Sequence, residues 1–94
     1  MYEFLKQHHA DNIYKRGAYK GDAPMDRRAK VWFRVIKYED RMVVRLYRTD
    51  IITALPNGNI TINTNGYYTA TTFKCINEVL GKAMVPIRVS GKSI

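Results

Sequence analysis

Apolar residues recur along this chain with a helical period at its start, with a period of two through its middle, and with a helical period again towards its end. Tyr2, Leu5, His9 and Ile13 follow one another at spacings of three and four, which puts them on one face of a helix over 2–15. Asp11 or Asn12 could equally cap a second short turn within that span. Residues 16–30 carry no periodic apolar face and hold Gly17, Gly21 and Pro24 among charges. They read as a loop or mobile connector, or else as a loop with one helical turn over 24–29 that Asp22 caps.

Residues 30–38 and 42–48 are rich in β-branched and aromatic side chains and predict two strands, with a turn around Glu39-Asp40. Register follows from chemistry, because a slip of one residue moves every side chain to the other face. Setting Lys37 opposite Met42 pairs Val35 with Val44 and Phe33 with Leu46, giving one apolar face; the slipped pairing would drive Arg34 into the core. A second hairpin, 51–55 with 59–64, flanks Asn57-Gly58, read as a two-residue turn with both central residues at positive φ. That register pairs Leu55 with Ile60 and Thr53 with Ile62 on a buried face, and leaves Ile52, Ala54, Thr61 and Asn63 on the other. Asn65-Gly66 marks a further turn, and 67–70 reads as the start of a short strand.

Phe73, Ile76, Val79 and Leu80 form one stripe of a second helix over 73–80. Thr71 or Thr72 is its expected cap, and Gly81 its expected left-handed terminator. Residues 83–89 read as a last strand, kept at a sheet edge by Pro86, and 90–94 as a frayed tail. The expectation is a single α+β domain over 1–94: a compact antiparallel sheet, a meander of two hairpins, with an N-terminal helix and one C-terminal helix packed on it.

Charge changes this picture. Sixteen Lys and Arg against eight Asp and Glu give a net +8, and the excess is uneven: residues 49–72 contain only Asp50, between basic flanks. A pI near 9.8 is the footprint of a chain that meets nucleic acid or another acidic surface. The longest uncharged stretch, 51–73, is broken by Pro56, Gly58 and many Asn and Thr, so no membrane span is expected. No secretory signal is visible at the N-terminus. A single cysteine, Cys75, allows neither an internal disulfide nor a cysteine-based zinc site, and fits a reducing, cytoplasmic setting; the sequon Asn59-Ile60-Thr61 is discounted accordingly.

The first hairpin also has an outer face. There the register sets Trp32 opposite Tyr47, Ile36 opposite Val43 and Arg34 opposite Arg45, with Arg41 and Arg48 at the two ends. Like charges directly opposite on a sheet repel. A face that accepts this and flanks it with rings suits phosphate and base contact, by Arg forks and by stacking. The alternatives are a docked acidic protein surface, or plain structural pairing in which a helix covers the face or Asp50 or Glu39 neutralises the arginines. Trp32, Arg34, Arg41, Arg45, Tyr47 and Arg48 are therefore the candidate contact residues.

Catalytic and metal readings are weaker. His8 and His9 are adjacent, so a helix points them to different sides, and no third or fourth ligand accompanies Asp11. Cys75 with either histidine would make a nucleophile and base, yet a cysteine beside an apolar stripe is more often structural. No glycine-rich phosphate loop is present, and no cofactor is expected. Thr61 and Asn63 offer a neutral polar strand face, and Thr69, Thr71 and Thr72 bring hydroxyls to a helix start, where capping is the simpler role.

Across residues 45–77, Arg45-Leu46, Thr49-Asp50-Ile51, Thr53, Asn57-Gly58, Ile60-Thr61-Ile62, Gly66-Tyr67, Thr69, Thr71-Thr72 and Ile76-Asn77 match a pattern. It resembles that of small uncharacterised proteins of bacteriophages and prophages. Phe73 and Cys75 depart from it, standing where basic residues are expected. The resemblance implies a phage-type accessory protein acting in a bacterial cytoplasm, and no catalytic residues carry over. Together these features lead us to expect a non-enzymatic module that binds nucleic acid or a nucleoprotein. The alternative is an anti-defence inhibitor, anti-CRISPR-like, that contacts an acidic surface of a host nucleic-acid-handling complex.

Overall fold

The structure, a computed structural model, describes residues 1–25, 32–64 and 70–87. Its elements in chain order are helix α1 (Tyr2–Asn12), strands β1 (Ala23–Pro24), β2 (Phe33–Lys37), β3 (Met42–Leu46), β4 (Thr49–Ala54) and β5 (Ile60–Ile62), and helix α2 (Ala70–Lys82). The five strands form one antiparallel sheet in the order β1-β2-β3-β4-β5, a meander. Both helices bury their apolar stripes on the same sheet face: Leu5 of α1 and Ile76, Val79 and Leu80 of α2 join Phe33, Val35, Met42, Val44, Leu46, Ile52 and Ala54 in one core. The α+β architecture expected from the pattern is the one observed.

The first hairpin keeps its expected register, from Phe33 opposite Leu46 to Lys37 opposite Met42. Its loop closes with the Tyr38 amide donating to the Arg41 carbonyl at 3.0 Å. The second hairpin is shifted by one residue from expectation: Ala54 faces Ile60, Thr53 faces Thr61 and Ile52 faces Ile62. Pro56 is the cause. Its fixed φ suits the first position of a turn, so the loop becomes three residues, Pro56-Asn57-Gly58, with Gly58 at φ 95°. The Gly58 amide donates to the Leu55 carbonyl at 3.0 Å, and the Leu55 amide to the Asn59 carbonyl at 2.9 Å. Ile52 and Ala54 therefore turn to the core with Ile60 and Ile62, while Thr53 turns outward.

A bulge separates β3 from β4. Val44 pairs with Ile52 but Arg45 pairs with Asp50, so Ile51 is the extra residue. Without it, Asp50 would fall on the core side, opposite Leu46. The bulge turns the carboxylate to the outer face, as bulges re-aim side chains. It also buries Ile51 and Ile52 together, and the Ile51 carbonyl accepts from the Asn63 amide at 2.9 Å.

Helix α1 ends three residues earlier than its periodicity predicts. Ile13 swings to ψ 135°, Asn12 Nδ2 donates to the His8 carbonyl at 2.9 Å, and Ile13 lies in solvent instead of extending the apolar face. The connector that follows is tied down by its backbone: the Tyr14 amide donates to the Asp22 carbonyl at 2.8 Å and the Gly21 amide returns to the Tyr14 carbonyl at 3.1 Å. Pro24 belongs to an edge strand, where its missing N–H does no harm, and not to a helical turn. Residues 26–31, which include 26–29 of that expected turn, lie outside the described residues, as do 65–69, with Thr69, the Asn65-Gly66 turn and most of the short strand expected over 67–70, and 88–94, with the expected tail; Ala70, the last residue of that short strand, is helical instead.

Helix α2 is longer than its stripe at both ends. Thr71 and Thr72 sit inside its first turn and are not its caps, Ala70 being helical too, and Gly81 is helical. The chain leaves the helix instead at Met84, φ 59°. The Met84 amide donates to the Gly81 carbonyl at 3.1 Å and the Val85 amide to the Leu80 carbonyl at 2.9 Å, a Schellman closure with Val85 packed on the core. Pro86 therefore follows a helix end; the expected strand over 83–89 is replaced by this closure through Ile87.

Met84 is 88% exposed, so its side chain gains little from a backbone conformation that favours glycine. Met84→Gly is expected to stabilise the fold by about 0.5–1 kcal/mol, a rise of a few degrees in Tm. Thermal unfolding followed by far-UV circular dichroism checks this; a lower midpoint would contradict the closure.

Candidate nucleic-acid interface

The register does bring Arg34 and Arg45 side by side on the outer face. Neither guanidinium is free. β1 places Pro24 opposite Arg34, which makes Asp22 its diagonal neighbour on the same face, and Arg34 Nη1 meets Asp22 Oδ2 at 3.2 Å. On the far side Arg45 Nε donates to Asp50 Oδ1 at 2.6 Å, with Nη2 lying 3.4 Å from Oδ2 and 3.5 Å from the Tyr38 hydroxyl. The Asp50 hydrogen bond raises the pKa of Arg45 above its ordinary value, so it stays charged. The row across the sheet thus reads minus, plus, plus, minus, and sums to zero.

Arg34 is the more deeply held of the two. It is 8% exposed, its Cζ lies 4.3 Å from the centre of the Tyr19 ring, and its Nε is buried with no hydrogen-bond partner. Burial of a guanidinium is tolerable only with a counter-charge and polarisable neighbours, and the Tyr19 face and Asp22 supply both. Arg41 is also paired, with Asp40 at 2.8 Å, and lies over the Tyr38 ring at 4.1 Å. Three of the four candidate arginines are therefore committed within the chain, and the neutralising role expected as an alternative for Asp50 is the one it fills.

The remaining candidates cluster at the β3–β4 turn. Trp32 and Tyr47 stack with centroids 5.5 Å apart and planes 17° from parallel, and Phe33 lies 6.1 Å from Trp32 at 16°. The turn has only two central residues, Tyr47 and Arg48, because Leu46 pairs with Thr49. Tyr47 stands at φ 56°. Arg48 is exposed, and none of the described residues pairs with it. Beside this turn a cavity of about 470 Å³ is bordered by Leu46, Arg48, Ile51, Thr64 and Thr72.

The histidines serve the fold. His8 Nε2 donates to the Pro24 carbonyl at 2.8 Å and His9 Nε2 to the Gly21 carbonyl at 2.6 Å; a carbonyl only accepts, so each Nε2 carries the proton. They fasten α1 to the connector and so hold Asp22 in place. Cys75 is buried in the core. Among the described residues no three of His, Cys, Asp and Glu converge on a point that could hold a metal ion, and no helix is long and apolar enough to cross a membrane.

Asp22 and Tyr19 are absent from the sequence-based candidates because Asp22 reads there as a helix cap. A two-residue strand leaves no periodicity to detect. The special conformation of Tyr47 was accessible: setting Asp50 opposite Arg45 leaves only two residues for the turn.

No protein-family model, curated protein or solved structure matches this chain.

Two double-mutant cycles, read by urea unfolding, test the charge row. Asp22→Asn alone is expected to cost about 1–3 kcal/mol, since Arg34 is left buried beside Arg45 without a counter-charge, and adding Arg34→Met recovers part of it. Asp50→Asn with Arg45→Met, at a pair 41% and 30% exposed, is expected to couple by only about 0.5–1 kcal/mol. Additive behaviour at 22 and 34, or the reverse ranking, would contradict the arrangement.

Proposed function

We propose that this chain is a small, basic, non-enzymatic accessory protein of phage type that binds nucleic acid in a bacterial cytoplasm. The observation that supports this best is the exposed Trp32–Tyr47 stack next to Arg48, which has no partner among the described residues, in a chain whose net charge is +8. Rings that present an open face bind bases, and an adjacent guanidinium binds phosphate. The internal pairs of Arg34, Arg41 and Arg45 cancel acids and bases one for one, so the whole excess remains to attract a polyanion. Lys6, Lys15, Arg16, Lys20, Lys37, Lys74 and Lys82 carry part of it in exposed positions.

The contact surface in this reading is the end of the sheet at Trp32, Tyr47 and Arg48. It is not the middle of the outer face, where Arg34 and Arg45 have their counter-charges already.

Fluorescence anisotropy with short labelled DNA and RNA, at about 50 and 200 mM salt, tests the proposal. Binding is expected to weaken steeply with salt. Arg48→Gln is expected to weaken it across all sequences and reduce the salt slope by about one. Absence of binding at the lower salt removes the reading. A protein partner retained from nuclease-treated host lysate would then favour the anti-defence inhibitor instead.

A further inference from the structure

Tyr47 combines two features that ordinarily exclude each other. It occupies a central position of a two-residue hairpin turn at φ 56°, where Gly, Asn or Asp is the ordinary occupant because a Cβ is disfavoured. It also carries one of the largest side chains in the chain, and leaves 63% of itself in solvent. A residue kept in a strained backbone conformation with its ring outside the core contributes little to folding, and an observed outlier of this kind points to function.

The neighbouring rings give the direction. Phe33 is 2% exposed, Trp32 37% and Tyr47 63%, and the planes stay within 17° of parallel from one to the next. The series begins in the core and ends in solvent at Tyr47, with one face of its ring against Trp32. Tyr47 also borders the cavity beside the turn, and a flat π-system laid against the other face of its ring would continue the series. Arg48, the next residue, stands exposed with no partner among the described residues, and brings a positive charge for a negative group attached to such a ring.

We infer that the Phe33–Trp32–Tyr47 series is a stacking platform for an unpaired nucleobase, so that the ligand is single-stranded nucleic acid and not duplex. This rests on the nucleic-acid reading above and narrows it. In a duplex both faces of each base are already stacked on neighbours, and a protein ring gains access only after the base is extruded. In a single strand the base faces are open, and stacking on aromatic side chains tolerates any sequence. The strain at Tyr47 is then the consequence of holding a ring at the tip of a tight turn, where the sheet itself cannot cover it.

Tyr47→Asn and Tyr47→Phe separate this role from a structural one. Asparagine tolerates the left-handed conformation and removes the ring; phenylalanine keeps the ring. Both are measured by anisotropy against a labelled single strand and the matching duplex, at a temperature where circular dichroism shows each variant folded. The wild type is expected to prefer the single strand. Tyr47→Asn is expected to lose about tenfold in single-strand affinity. Its salt slope should stay unchanged, because no charge is altered, and its Tm should not fall. Tyr47→Phe is expected to bind as the wild type does. Equal affinity for duplex and single strand, or an unaffected Tyr47→Asn, overturns the platform while leaving nucleic-acid binding intact. No binding by the wild type to either ligand at low salt overturns both.

Discussion

Two arginines held side by side on a sheet would push their strands apart; here a carboxylate on each flank lets them stay. Asp22 answers Arg34 and Asp50 answers Arg45, and the four groups form a neutral row across three strand boundaries. Much of the chain's irregular structure serves this row. His8 and His9 hold the connector that delivers Asp22, the bulge at Ile51 turns Asp50 to the correct face, and the Tyr19 ring closes over Arg34. The outer face beside this row is itself buried: Val43, an outward-facing residue, is only 1% exposed and Ile36 only 9%.

The bulge has a second consequence. One inserted residue changes the parity of β4, so Ile51 and Ile52 are both buried while the chain continues to β5 in regular register. It also shortens the β3–β4 connection to Tyr47 and Arg48. The tight turn, the exposed ring and the exposed guanidinium therefore share one origin with the Arg45–Asp50 pair. The candidate interface and the charge row are adjacent products of the same local geometry, with opposite fates: one neutral and covered, the other cationic and open.

Most of the sheet was legible because its pattern has a period of two and its alternatives are costly. The register of β2 on β3 follows from keeping Arg34 out of the core, and both helices follow from their stripes. What was not legible depended on single residues overriding a dipeptide signal. Asn57-Gly58 reads as a two-residue turn, but Pro56 recruits itself into the loop and shifts the register. Gly81 reads as a helix terminator, but Val85 reaches the core only if the helix runs on to Lys82, and Met84 takes the left-handed position. At the candidate site, the facing of Arg34 with Arg45 and the Trp32–Tyr47 pair were readable from register. The partner of Arg34 was not, because it depends on a two-residue strand joined to β2 across the connector.

Among the described residues two other than glycine stand in the left-handed region, and the contrast between them is informative. A sequence that specifies its fold normally agrees with local preference at every level, so a departure calls for a compensating gain. At Met84 the gain belongs to the backbone: two terminal hydrogen bonds and the docking of Val85, none of which requires a methionine side chain. At Tyr47 the backbone gain would be served as well by asparagine or glycine, so the side chain itself must account for the choice. Among the described residues its one ring contact is Trp32, itself partly in solvent. In the function proposed above, the remaining gain is a flat, anionic molecule that meets the ring and the guanidinium beside it.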